Sequence, residues 1–141
     1  MDQPEVRLVS LRDLQPSQLY ISQEKLSKVQ IDFDVKCLNK LEPIPYKDLD
    51  GLKVMTDGHT RAFTAFLAGC ATVPAYPDPD ELDWEAYQIC VGWCHAEAIH
   101  SIQDLKERVI STEDYEHLWL NRCREMQTEL ANKQTGSYHS C

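Results

Sequence analysis

The stretch VMTDGHTRAFTAFLAG, residues 54–69, changes its periodicity partway along, and that change decides the fold. Leu52, Lys53, Val54, Met55 and Thr56 suit a strand, and Asp50-Gly51 before them is a dipeptide that tight hairpins favour. Beyond Asp57-Gly58-His59 the apolar residues Phe63, Phe66 and Leu67 fall at helical spacing among alanines, and Gly69 supplies a stop. The pattern predicts a strand over 52–56, a connection over 57–59 and a helix over 60–68. Strands and helices that alternate in this way build an α/β arrangement.

Working outward, Leu41-Glu42-Pro43-Ile44-Pro45-Tyr46 carries two prolines and reads as an edge strand or extended segment, because proline donates nothing to a sheet ladder. Farther back, residues 6–11 (VRLVSL) read as a first strand, and DLQPSQ at 13–18 is turn chemistry. Ser22 is placed to cap a helix, with Ile21 and Leu26 as its hydrophobic staple and Leu26, Val29 and Phe33 at helical spacing. On the other side, TVPAY at 72–76 reads as another short strand, closed off by Pro77-Asp78-Pro79-Asp80. Three helical segments are expected after it: Asp83 caps the first, while Ser101 with Asp104 and Ser111 with Asp114 form capping boxes for the others. Periodicity fails from Ala131, so residues 131–141 read as a frayed tail. The expectation is one domain over 1–130, α/β (α+β) with a small mixed sheet, in which 83–130 forms a helical C-terminal extension.

With 141 residues, 43% of them hydrophobic and 26% charged, the chain has the size and composition of one domain and needs neither metal nor disulfide to hold a core. Fourteen basic against 23 acidic residues leave a formal charge of −9, which argues against sequence-independent binding to duplex DNA or anionic lipid. A local basic pocket stays open. No apolar run has the length of a membrane span, and residues 1–10 lack the basic and then apolar regions of a signal peptide, so a cytoplasmic protein without membrane attachment is expected. In that compartment Cys37, Cys70, Cys90, Cys94, Cys123 and Cys141 are expected to be reduced and mostly structural.

Chemistry concentrates at residues 57–61. A helix N-terminus leaves backbone N–H groups unpaired and carries partial positive charge, and glycine before it lets an anion approach the backbone. His59, Thr60 and Arg61 add an imidazole, a hydroxyl and a bidentate donor, and Asp57 a carboxylate able to hold a metal ion or accept a proton. The plainer alternative is that Asp57 and Thr60 cap the helix while Arg61 pairs with a surface carboxylate.

In order and spacing, LRDLQPSQ (11–18), EPIPY (42–46), VMTDGHTRAFTAFLAG (54–69) and TVPAY (72–76) resemble the ParB/sulfiredoxin-like superfamily. There a "P-I-x-V"-like strand precedes a hairpin, a "D-G-x-x-R" loop opens a helix ending in Gly, and an "x-V-P-V"-like strand follows. The resemblance covers about half of the chain and implies a loop that holds the phosphates of a nucleotide. Sulfiredoxins carry "G-C-H-R" in this loop, and His59 stands here where they have the reactive cysteine. ParB partition proteins carry "G-E-R-R" and a following helix-turn-helix. His59 and Thr60 depart from the former, and the acidic segment WEAYQICVGWCHAEAI (84–99) presents no basic recognition helix. The archaeal ADP-dependent free-serine kinases show the same fold transferring a phosphoryl group to a hydroxyl. By that likeness Gly58, His59, Thr60 and Arg61 would bind the phosphates of ADP, ATP or CTP, Asp57 would hold Mg2+, and Asp57, His59 and Glu42 would be the catalytic candidates.

Two functions compete. One is a small-molecule phosphotransferase or nucleotide hydrolase. The other is a non-enzymatic regulatory or adaptor module with a nucleotide-sensing or degenerate site, whose C-terminal helices contact a protein partner. Cys90, Cys94, His95 and His100 invite a zinc reading but lack a second cysteine pair at suitable spacing. Trp84, Tyr87 and Trp93, with Ile89 and Val91, are expected to pack their helix on the sheet, and Tyr115, Leu118, Trp119 and Cys123 to form the inner face of the last helix.

Overall fold

A computed structural model describes residues 5–33 and 41–139, with side chains to residue 133. Cys37 and Cys141 lie outside the described residues. Along the chain come β1 (Arg7–Ser10), a tight helical turn at Leu11–Asp13, β2 (Leu14–Gln15), β3 (Ile21–Ser22), α1 (Gln23–Asp32), β4 (Ile44–Leu49), β5 (Leu52–Met55), α2 (His59–Leu67) and β6 (Thr72–Pro77). Then follow α3 (Trp84–Ala96), a second tight turn at Ile102–Leu105, β7 (Val109–Ile110), α4 (Thr112–Tyr115), a wide π-type turn at Glu116–Leu120 and α5 (Asn121–His139).

The fold is α/β with a small mixed sheet, ordered β1-β6-β4-β5-β2. β1 pairs antiparallel with β6, β6 parallel with β4, β4 antiparallel with β5, and β5 parallel with β2. Asp50 and Gly51 turn β4 into β5 with φ of 52° and 82°, the mirror-image turn that matches the twist of a hairpin. β4 occupies the middle of the sheet, which corrects the expectation of an edge strand. Its register with β5 begins at Tyr46, one residue past Pro45, and the Pro45 carbonyl still accepts the Thr56 N–H at 3.0 Å. The missing proline donor therefore falls at the strand's start, where it costs little.

The expected caps are in place at three helices. Ser22 accepts from Lys25 N–H, Asp83 from Ala86 N–H and Ser111 from Asp114 N–H. The Ser101–Asp104 box also forms, with Asp104 Oδ2 accepting from Ser101 N–H at 3.1 Å, but it opens only the tight turn at Ile102–Leu105. In place of a helix the chain then enters β7, which pairs in parallel with β3 through Ile21–Val109 and Ser22–Ile110. This two-stranded sheet ties the C-terminal segment to the N-terminal one. Cys94, Ile99, Ile102 and Leu105 are as deeply buried as Leu14, Leu19 and Phe63 and belong to the same contiguous cluster. Segment 83–130 thus shares the core of the sheet.

Two helix faces differ in part from expectation, although Val91 is buried and Ile89 and Trp93 pack, partly buried, against the core as expected. The buried face of α3 is Ala86, Cys90, Val91 and Cys94, small residues that let the helix approach closely, while Trp84 is exposed at its start. On the last helical run, Tyr115, Trp119, Met126 and Leu130 face inward, and Leu118 lies 48% exposed in the π-type turn. The helix also continues to His139, past the frayed tail expected from Ala131; Ala131, Asn132 and Lys133 are exposed, and Leu130 is the last buried residue among those whose side chains are described. Among the described residues, no helix is long and apolar enough to cross a membrane.

Candidate functional site

Gly58 converts β5 into α2. Its φ is +78°, and a Cβ there would stand 2.8 Å from Arg61 Nη2 and 2.9 Å from Ile44 Cδ1, so backbone and packing both call for glycine. The Gly58 N–H bonds Asp57 Oδ1 at 2.8 Å, and the first helical bond runs from Ala62 N–H to Gly58 O at 2.9 Å. Gly58 supplies no side-chain cap, and among the described residues the N–H groups of His59, Thr60 and Arg61 meet no protein acceptor. Asp57 and Thr60 therefore do not cap the helix, as the plainer sequence reading had it.

His59, the first residue of α2, is 4% exposed. Its Nε2 accepts the Ser17 backbone N–H at 2.9 Å, and the Ser17 hydroxyl donates to Met55 O at 2.7 Å, which stitches loop 16–20 to the end of β5. An accepting Nε2 puts the proton of the neutral ring on Nδ1. Nδ1 is buried and, among the described residues, has no partner. Burial pushes the His59 pKa down to about 3; the Asp57 carboxylate opposes that shift, and the Arg61 guanidinium adds to it. At neutral pH His59 is an uncharged donor, with an N–H to give and no acceptor to take it.

Arg61 points the other way. Its Nε donates to Glu42 O and its Nη2 to Pro43 O, both at 3.2 Å, and its Nη1 lies 3.8 Å from the Glu42 carboxylate. The guanidinium thus pins the approach of β4 to the first turn of α2. The Glu42 carboxylate is 78% exposed, and an ion pair so open to water adds little.

A cavity of about 230 Å³ opens beside the junction. Asp57 and His59 stand on one wall, Asp83, Tyr87 and Cys90 on a second, and Trp119 and Cys123 on a third. A larger hollow of about 610 Å³ lies on the other side of Thr56 and Asp57 and contains Tyr76, Asp78 and Asp80. Tyr87 Oη donates to Thr56 O at 3.1 Å and Thr56 Oγ1 to Asp78 Oδ2 at 2.7 Å, which braces the partition between them. Asp57 borders both spaces. Glu42, Gly58, Thr60 and Arg61 line neither, so the structure brings together Asp57 and His59 from the sequence-derived set and leaves Glu42 and Arg61 on another face.

Among the described residues, neither space has a Lys or Arg in its wall. The surroundings are acidic, unlike the basic pocket the overall charge leaves open, and an anion entering here needs a counter-cation. Among the described residues, no three His, Cys, Asp or Glu side chains converge on one metal position. A cation at Asp57 would take its remaining ligands from a bound molecule or from water. Two residues of the zinc reading, Cys94 and His95, are engaged elsewhere. Cys94 Sγ donates to Gln18 O at 3.6 Å, with its pKa pushed up to about 12, mainly by burial, and His95 Nε2 meets Gln15 Oε1 at 3.0 Å. Ser17, Tyr87, Cys90, Trp119 and Cys123 were not singled out for this site, since each reaches it from a distant part of the chain.

No family model matches the chain, and no curated protein matches it. Among solved structures it is similar to the crystal structure of protein Atu1540 from Agrobacterium tumefaciens, with a TM-score of 0.45 and 9% sequence identity over 70% of this chain and 51% of that one. The chain spans about half the length of that protein.

Proposed function

We propose that the protein binds a phosphorylated ligand that brings its own divalent cation, a nucleotide with Mg2+, at the start of α2, on an architecture of the ParB/sulfiredoxin-like type. The observation that carries this reading is the buried Nδ1–H of His59, a donor without an acceptor beside unpaired helix N–H groups. A buried polar group without a partner costs about 1–3 kcal/mol, and a phosphate oxygen is an acceptor that would satisfy it. The glycine at the same point lets the Arg61 and Ile44 side chains close against the head of the helix.

The acidic walls favour a phosphate carried with its cation over a bare anion. Asp57 is the carboxylate placed to complete the coordination of Mg2+, which commonly rests on one or two carboxylates plus substrate phosphates. When bound, such a nucleotide supplies a transferable phosphoryl group, and the chain supplies orientation and a neutral hydrogen-bond donor. Phosphotransfer to a small molecule, or hydrolysis, is the enzymatic form of this reading. A regulatory module that senses the nucleotide and contacts a protein through α3 to α5 is the alternative, favoured by the commitment of Arg61 and Glu42 to holding β4. A cytoplasmic setting, where nucleotides and Mg2+ are plentiful, suits both.

Thermal unfolding in ADP, ATP, CTP or inorganic phosphate, each with and without Mg2+, tests the reading. A ligand at a hundred times its Kd stabilises by about 2.7 kcal/mol. The expected result is a Mg2+-dependent rise for a nucleotide, lost in Asp57→Asn and His59→Gln. A folded protein whose transition moves with none of them overturns the assignment.

A further inference from the structure

We propose that the sheet face turned away from the core over β1, β6 and β4, together with the 610 Å³ hollow that it runs into, docks a basic peptide segment, one that carries arginine or lysine beside apolar residues. The inference stands apart from the nucleotide reading, because it uses the far side of the Thr56–Asp57 partition.

Strand alternation defines this face. Ile44, Val73 and Ala75 belong to the core and are each no more than 1% exposed, so Pro45, Pro74 and Tyr76 beside them stand on the opposite face. The register sets Tyr76 against Pro45 and Leu8 against Pro74, which puts Leu8 on that face too, with Val6 two residues before it; Val9 packs on the core side. Leu8 is 67% exposed and Val6 49%. Val6, Pro45 and Tyr76 then join Pro43 and Leu82 in the wall of the hollow. An exposed apolar strip rimmed by polar residues marks an interaction surface.

Charge selects the partner. Asp57, Asp78 and Asp80 stand in the same wall, and among the described residues none of the three has an ion pair. Asp78 is positioned by the Thr56 hydroxyl and the Asp80 N–H, which leave its charge in place. Lys47 donates to the Asp80 backbone carbonyl and lies over the Trp84 ring, so it does not neutralise the Asp80 carboxylate. A cationic side chain entering the hollow pairs with these carboxylates while its apolar neighbours cover the strip. A purely apolar segment would desolvate the carboxylates without a counter-charge, and a second copy of the chain, itself at −9, would bring like charge.

Fluorescence anisotropy on the full chain, with three labelled octapeptides that alternate Leu with Arg, Gly with Arg, or Leu with Glu, tests the proposal. The Leu-Arg peptide should bind about tenfold more tightly than the Gly-Arg peptide, the worth of burying about one leucine side chain, and the Leu-Glu peptide should not bind. Asp80→Asn should weaken the Leu-Arg peptide about two- to fivefold, and Val6→Ser should weaken it as well. Glu129→Gln, the same charge change at an exposed position of α5, should leave it unaltered. Equal affinity for the Leu-Arg and Gly-Arg peptides, or an equal loss in Glu129→Gln, would assign the binding to net charge and overturn the docking surface, as would a folded chain that binds neither peptide. Sedimentation of the chain alone as a dimer that Leu8→Ser dissociates would give the face to a second copy and overturn it too.

Discussion

Ser17 donates its backbone N–H to Nε2 of His59 at 2.9 Å, and this bond decides which imidazole nitrogen carries the proton. Protonating His59 would place a charge in a buried site, and burial lowers its pKa from 6.5 to about 3, with Asp57 opposing the shift and Arg61 adding to it.

Stability should therefore depend on pH in a defined direction. Between pH 3 and 6.5 the unfolded chain binds more of this proton than the folded one, so stability rises with pH across that window and is lost as the pH falls below 6.5. The loss has a limiting slope of about 1.4 kcal/mol per pH unit, or about 2 kcal/mol by pH 5. Urea midpoints for the parent and His59→Gln should converge as the pH drops. Parallel curves would show that His59 titrates normally.

Gly58→Ala and Gly69→Ala separate backbone strain from crowding. Both glycines have φ well above zero, at +78° and +89°, and alanine costs about 1–2 kcal/mol in that region. A Cβ at Gly69 meets nothing within 4 Å, whereas one at Gly58 meets Ile44 and Arg61 at under 3 Å. Gly58→Ala should lower the denaturation midpoint further than Gly69→Ala, and equal effects would contradict the close packing at the head of α2.

Neighbouring residues in the π-type turn should respond in opposite ways. Trp119 is 5% exposed and stacks edge-on against Trp93 at 5.9 Å, so Trp119→Ala should cost about 3–5 kcal/mol by chemical denaturation. Leu118 faces solvent, and Leu118→Ala should stay within about 0.5 kcal/mol. The reverse order would mean that the turn is rotated.

Duplex DNA should bind poorly. With a charge of −9, the chain lacks the clustered cations that displace phosphate counterions, and its affinity should be weaker than the roughly 10⁻⁴ to 10⁻⁶ M of non-specific binders at physiological salt. Fluorescence anisotropy with labelled duplexes measures this, and submicromolar, sequence-selective binding would reverse the expectation.

Features encoded within a few residues were legible in the sequence: the Asp50-Gly51 hairpin, the caps at Ser22, Asp83 and Ser111, and the change from strand to helix around Gly58. The central place of β4 was not, because it depends on parallel pairing with β6, whose residues lie a helix away, and two prolines pointed to an edge. Asp57 and His59 were read as neighbours and are neighbours. That His59 faces inward while Arg61 faces β4 was not legible, since Ser17, 42 residues distant, holds the ring.

The pairing of β3 with β7 gives this protein an order of manufacture. Ile21 takes its ladder partner from Val109, Gln15 Nε2 reaches Ile99 O across 84 residues, and Thr112 Oγ1 reaches Glu24 across 88. A ribosome releasing the chain from its N-terminus makes Leu19 and Ile21 long before the residues that cover them. Contacts so far apart close slowly, and until they close the apolar segment is open to chaperones and proteases. A nascent chain stopped after β6 is therefore a substrate for quality control, and residues 14–22 reach their final state only once residues 99–112 have been made.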